Sequence, residues 1–278
     1  GKVDGRQLLP LGKNLKLALV GPLADAGVQY QGCWAVAARD SYPSLLDEMR
    51  RIDGISLKYA KGCNILEDER LEKIVTPGNA SRWDRRPLDE MISEAVYAAR
   101  NSDVVVAAMG EAANMSGESG SRTDISLPEC QKKLLKALTG TGKPVVLVLF
   151  SGRPMTLAWE NEAMTSILQT WFGGSEAADA ITDVLFGDVN PSGKLTMSFP
   201  FSVGQIPVYY NMKNTGRDAY SKDYRRYASN WIDCPNEPLY PFGYGLSYTT
   251  FEYSPVALSD TVMTVNGAVK AKVTVSNT

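Results

Sequence analysis

Between Leu15 and Phe186, short apolar runs alternate with stretches whose apolar positions recur at helical spacing. The runs predict strands over residues 15–20, 55–59, 103–109, 144–150 and 166–171. The helical spacings predict helices over 42–51, with Ser41 as cap, and over 87–100 and 175–186. A further helix is expected over 129–138, with Ser126 as N-cap and Pro128 in its first turn. Residues 60–84 are polar and carry Gly62, Pro77, Gly78 and Asn79, so they read as a long excursion between elements. Runs such as PVVLVLF (144–150) are apolar throughout, as a strand buried on both faces requires. Alternation of strands and helices gives an α/β fold, a mostly parallel sheet sandwiched by helices.

Beyond Gly187 the pattern changes. Residues 188–192 form a turn cluster and 195–199 a short strand. Residues 201–245 are aromatic and proline-rich with little periodicity. Their Tyr209, Tyr210, Tyr220, Tyr224, Tyr227, Trp231, Tyr240, Phe242 and Tyr244 are expected to pack as a loop layer over the sheet. From Leu258 the pattern turns to β, with strands over 261–265 and 269–275 around Asn266-Gly267. Three segments follow: a linker (1–14), an α/β domain (15–258) and the first strands of a truncated β-sandwich with an open edge (259–278).

Composition narrows the chemistry. With 278 residues, 44% hydrophobic, the chain can bury a sizeable core. A net charge of −2 gives no electrostatic case for nucleic acid or an anionic membrane surface. No apolar run approaches a membrane span, and residues 1–16 lack the basic-then-apolar order of a signal peptide. The absence of histidine carries more weight. It excludes Ser-His-Asp and Cys-His mechanisms and histidine metal sites, and leaves acid–base work to carboxylates, Lys or Tyr. Cys33, Cys63, Cys130 and Cys234 are widely spaced, form no CxxC pair and read as buried thiols. No metal or cofactor is implied.

The candidate chemistry lies after the strand at 103–109, where a loop of small and polar residues carries Glu111, Glu118 and Arg122. Loops at the carboxyl ends of parallel strands are where such folds place their ligands. From the residues alone, a glutamate in a Gly/Ser loop reads first as a solvated surface charge. Glu111, just past the strand, is the rival carboxylate and reads as a brace for the loop through backbone N–H groups; Arg122 reads as a partner for either carboxylate or as an anchor of the loop to an acidic neighbour. Trp34, in YQGCW after the first strand, has two readings: a flat platform for a sugar ring, or a cap on the sheet's edge. Trp83, Trp159, Trp171 and Trp231 read as core. The glycine clusters at 110–120 and 173–175 lack the spacing of a phosphate cradle, which discounts a nucleotide-binding domain.

Five strings carry a resemblance: KLALVGPLAD (16–25), GEAANMSGESGSRTDISLP (110–128), SGRP (151–154), VLFGDVNPSGKLTMSFP (184–200) and PLYPFGYGLSYTTF (238–251). In this order they resemble glycoside hydrolase family 3, the β-glucosidases and β-xylosidases. The resemblance implies the second domain of those enzymes, a six-stranded α/β sandwich, followed by a fibronectin III-like β-sandwich. It implies an N-terminal barrel, outside this sequence, that supplies the nucleophilic Asp. It further implies that Glu118 is the acid/base, that Trp34 and Arg122 bind a β-linked glucoside or xyloside, and that the protein is periplasmic or secreted. The competing reading is a carbohydrate-binding or scaffold domain without catalysis.

Overall fold

The computed structural model describes residues 2–3, 6–35, 41–76, 82–213, 215–217 and 224–278. A short antiparallel pair, β1 (Lys2–Val3) and β2 (Arg6–Gln7), opens the chain. The centre is a wholly parallel sheet of β3 (Lys16–Val20), β4 (Ser56–Ala60), β5 (Val104–Gly110), β6 (Val145–Phe150) and β7 (Ser166–Gln169), in the order β4-β3-β5-β6-β7. β5 and β6 lie in the middle and are buried at every residue. That burial explains why their sequences are continuously apolar and not alternating.

Alternate residues feed two cores. On one face Leu17, Leu19, Val106, Val148 and Phe150 pack against α1 (Leu45–Met49) and α6 (Ala177–Phe186). On the other, Val20, Val105, Met109, Leu147 and Leu149 pack against α3 (Leu88–Arg100) and α4 (Glu129–Thr139). Two further helices, α2 (Glu69–Val75) and α5 (Ala158–Ala163), were not expected from the sequence. α2 lies inside the predicted excursion. Its apolar Leu71 and Ile74 face solvent while its inner face carries the buried Glu72 beside Val75, so the sequence shows no apolar stripe.

Caps and edges depart from expectation in several places. α1 starts at Ser44, not Ser41, because a residue before Pro43 is biased away from helix. Ser44 and Asp47 form a reciprocal cap: Asp47 N–H donates to Ser44 Oγ at 3.2 Å, and Ser44 N–H to the Asp47 carboxylate at 2.9 Å. α4 is capped by Pro128 without a side-chain bond, since the Ser126 hydroxyl is spent on Asp124 Oδ1 at 2.6 Å. The sheet has five strands, against the six that the resemblance implies. The segment expected as a strand over 195–199 contributes an isolated antiparallel bridge, Phe199↔Tyr240. Its backbone is paired with the 240–244 segment instead, Leu195 N–H to Tyr244 O at 2.8 Å and Gly243 N–H to Leu195 O at 2.7 Å.

The aromatic layer is partial. Phe199 is buried, with Trp171 at 5.8 Å and Tyr240 at 6.0 Å between ring centroids. Tyr209, Tyr210, Tyr224 and Tyr227 are exposed; Tyr220 lies outside the described residues, as do Pro77, Gly78 and Asn79. None of the tryptophans read as core is fully buried. Trp159 is at the surface, and Trp83, Trp171 and Trp231 are half-buried. Cys63 and Cys130 are buried thiols, whereas Cys33 and Cys234 are half-buried.

The last residues form one long hairpin, not the one expected. β8 (Phe251–Tyr253) pairs with β11 (Val275–Asn277), and β9 (Ala257–Leu258) with β10 (Ala271–Lys272). The alternating residues 261–265 lie in the connecting loop. The hairpin exposes both faces, including Phe251, Tyr253, Leu258 and Val275.

Candidate active site

The order in which strands are added reverses between β3 and β5: β4 lies to one side of β3, and β5, β6 and β7 to the other. In open α/β sheets, ligands bind outside the carboxyl ends of the strands at such a switch point. The loop after β3 carries Trp34, and the loop after β5 carries Glu118.

The β3 loop is held from below by Tyr30. Its ring is buried and stacks on Phe150 with centroids 4.5 Å apart and planes inclined by 10°. Its hydroxyl donates to Leu23 O at 2.5 Å and accepts from Leu45 N–H at 3.2 Å. Burial raises the Tyr30 pKa far above the ordinary phenol value, so it stays a neutral structural group. Four residues on, Trp34 is 68% exposed, so its indole face is open to a ligand.

The β5 loop is held by a buried carboxylate. Glu111 is wholly inaccessible to solvent and sits between two guanidinium groups. Arg122 Nη1 donates to Glu111 Oε1 at 3.0 Å, and Arg153 Nε approaches the same oxygen at 3.0 Å. Gly152 N–H donates to Glu111 Oε2 at 3.3 Å. The sequence assigns Glu111 a bracing role through backbone N–H groups; the structure gives it that role chiefly through two arginines. One carboxylate thus holds two guanidinium groups together beneath the loop.

Of the two carboxylates open to it, Arg122 pairs with Glu111. Its Nη2 donates to Ser126 O at 3.0 Å, which ties down the loop's exit. Glu118 is exposed at the loop tip and makes no ion pair among the described residues. It occupies a four-residue turn closed by Gly120 N–H to Gly117 O at 3.1 Å, with Ser119 at φ 60°.

The two loops touch. Ala113 N–H donates to the buried Gln29 Oε1 at 2.9 Å. Gly117, with φ +101°, packs so closely that an added Cβ would lie 2.3 Å from Cys33 Sγ and 3.4 Å from Trp34 Nε1. Glu118 and Trp34 are therefore adjacent through their neighbours, on a single lip at the carboxyl ends of β3 and β5. Arg153, Gln29 and Gln131 were given no role from sequence. Gln131 is buried, accepts from Gly110 N–H at 2.8 Å and donates to Gly110 O at 2.9 Å. The signal for Arg153 was its place in SGRP, directly after a fully buried strand.

Residues 4–248 match the sequence profile of the glycosyl hydrolase family 3 C-terminal domain. The chain belongs to that family. The chain is 49% identical over 276 residues to the periplasmic beta-glucosidase of Salmonella typhimurium (strain LT2), covering 98% of this chain and 36% of that protein. It is 39% identical to a beta-xylosidase of Formosa agariphila, covering 99% of this chain and 36% of that protein. Among solved structures, the beta-glucosidase of Listeria innocua in complex with isofagomine superposes with a TM-score of 0.83 at 37% identity. That match covers 98% of this chain and 35% of the solved chain. The chain thus spans about a third of the length of the curated relatives it matches. Among its described residues there is no cluster of metal ligands and no helix long and apolar enough to cross a membrane.

Proposed function

We propose that this domain supplies the general acid/base of a retaining β-glycosidase, and that Glu118 is that group. The nucleophilic Asp and most sugar contacts come from an N-terminal barrel in the same polypeptide. The substrate is a terminal β-linked glucoside or xyloside. Trp34 offers its indole to a sugar face, and Arg122 contributes to the sugar-binding side of the loop while held by Glu111. The observation that carries this reading is the junction of the Glu118 turn and the Trp34 loop at the sheet's switch point.

Retaining hydrolysis needs two carboxyl groups roughly 5 Å apart, on opposite sides of the scissile bond. A carboxyl exposed at a loop tip, on a lip that another domain can close, meets half of that requirement. Protonation of the departing oxygen by Glu118, and later deprotonation of water by the same carboxylate, completes the cycle. The similarity to a periplasmic relative supports placing the protein in the periplasm or outside the cell. In place of a linker at 1–14 and a boundary at 258, we assign the segment that brings Leu11 into the core to the α/β domain, and the whole hairpin of residues 251–277 to the beginning of a β-sandwich.

The test is Glu118→Gln in the full-length protein. Turnover of an alkyl β-glucoside should fall by about 100-fold or more, and that of an activated aryl β-glucoside by much less, because a good leaving group needs little protonation. Equal losses on both substrates would sink the assignment. The isolated 278-residue chain should hydrolyse neither. Tight oligosaccharide binding by that chain, with Glu118→Gln silent in the full-length protein, would favour a non-catalytic binding module.

A further inference from the structure

We propose that Arg153 is a positioning residue for Glu118, fixing the loop tip through two backbone carbonyls. The inference rests on the reading of Glu118 as proton donor. Arg153 follows β6, one strand away from the loop it holds. Its side chain is largely buried, and its Nε faces the Glu111 carboxylate, 3.0 Å from Oε1 and 3.3 Å from Oε2. Its Nη2 donates to Met115 O and, at 2.8 Å, to Gly120 O. Those carbonyls bracket residues 116–119, the segment that presents Glu118. One guanidinium therefore pins both stems of the turn, and a buried carboxylate sets its orientation.

The close approach is built into the backbone. An added Cβ on Gly152 would lie 1.9 Å from Ser116 Oγ and 2.6 Å from Ser116 Cβ. Any other residue at 152 would push the Arg153 segment away from the loop. Arg122 does not duplicate this function, since its bonds go to Glu111 and Ser126 O, at the loop's exit. Arg153 makes no bond to the Glu118 side chain; it acts through the main chain. A lysine can keep the charge facing Glu111, but it lacks the planar fork needed to reach the carboxylate and both carbonyls together. A misplacement of the donor by about 1 Å is enough to reduce turnover severely.

The test uses the full-length protein with Glu118→Gln, Arg153→Lys and the double variant. Each is assayed on an alkyl β-glucoside and on an activated aryl β-glucoside. Arg153→Lys should lower kcat/KM for the alkyl glucoside roughly tenfold more than for the aryl one, the signature of lost acid assistance. The double variant should be no more selective than Glu118→Gln alone. Partial unfolding would lower both substrates equally and leave their ratio unmoved, so an equal loss overturns the inference. Arg153→Gln, which keeps an N–H donor, gives the same reading should the lysine variant not fold. If Glu118→Gln is itself unselective, the proton-donor reading falls and this inference with it. If Glu118→Gln is selective and the Arg153 variants are not, this inference alone falls.

Discussion

Gly117 lies directly against Cys33: a Cβ at position 117 would sit 2.3 Å from the Cys33 sulfur. The contact joins the turn that presents Glu118 to the loop that presents Trp34. It is what makes one lip of two separate connections.

Gly117→Ala should therefore be costly for two reasons. A positive φ of 101° strains any side-chain-bearing residue, and the new methyl group collides with Cys33. We expect a loss of about 1–3 kcal/mol in unfolding free energy, seen as a lower thermal midpoint. Adding Cys33→Ala should recover the steric part and not the backbone part. A double variant no more stable than Gly117→Ala alone would contradict the contact.

Glu111→Ala should be among the more damaging changes in the domain. It leaves Arg122 and Arg153, each largely buried, facing one another without the carboxylate that separates them. Breaking a buried pair by removing one partner costs about 3–5 kcal/mol. Urea unfolding would measure it. A loss below roughly 1 kcal/mol, the range of exposed ion pairs, would show that the cluster is solvated.

Glu160 gives the pH dependence. It is buried in α5, and burial pushes its carboxyl pKa above the ordinary range. A carboxyl with a raised folded pKa favours the fold fully below its unfolded value near 4.5. That contribution is lost as pH rises through the folded value. Glu160→Gln should thus raise the thermal midpoint by a few degrees at pH 7 and leave it nearly unchanged at pH 4. A variant less stable at pH 7 than at pH 4, relative to the parent, would reverse the sign.

Much of this protein was legible in its sequence because burial on both faces leaves a mark that needs no partner to read. The apolar runs at β5 and β6 locate the centre of the sheet, and the helical spacings locate α3, α4 and α6, to within a residue or two. The loop after β5 stands out as a break between such elements, and so do its carboxylates. Where elements are held by polar or local contacts, the sequence misleads. Ser44 takes the cap from Ser41, α2 hides in a charged stretch, and the terminal hairpin pairs 251–258 with 271–277 and not its alternating loop.

Sequence alone determined the α/β class, the lack of histidine side chains in these 278 residues and the groups they offer for acid–base work, since these depend on composition and periodicity along one chain. Tertiary structure decided which residues meet. Glu111 found Arg122 and Arg153, Gly117 found Cys33, and Arg153 reached carbonyls more than thirty residues away. Hydrogen bonds and close packing depend on distances across the sheet. No pattern along the chain records those distances until the strands are laid side by side.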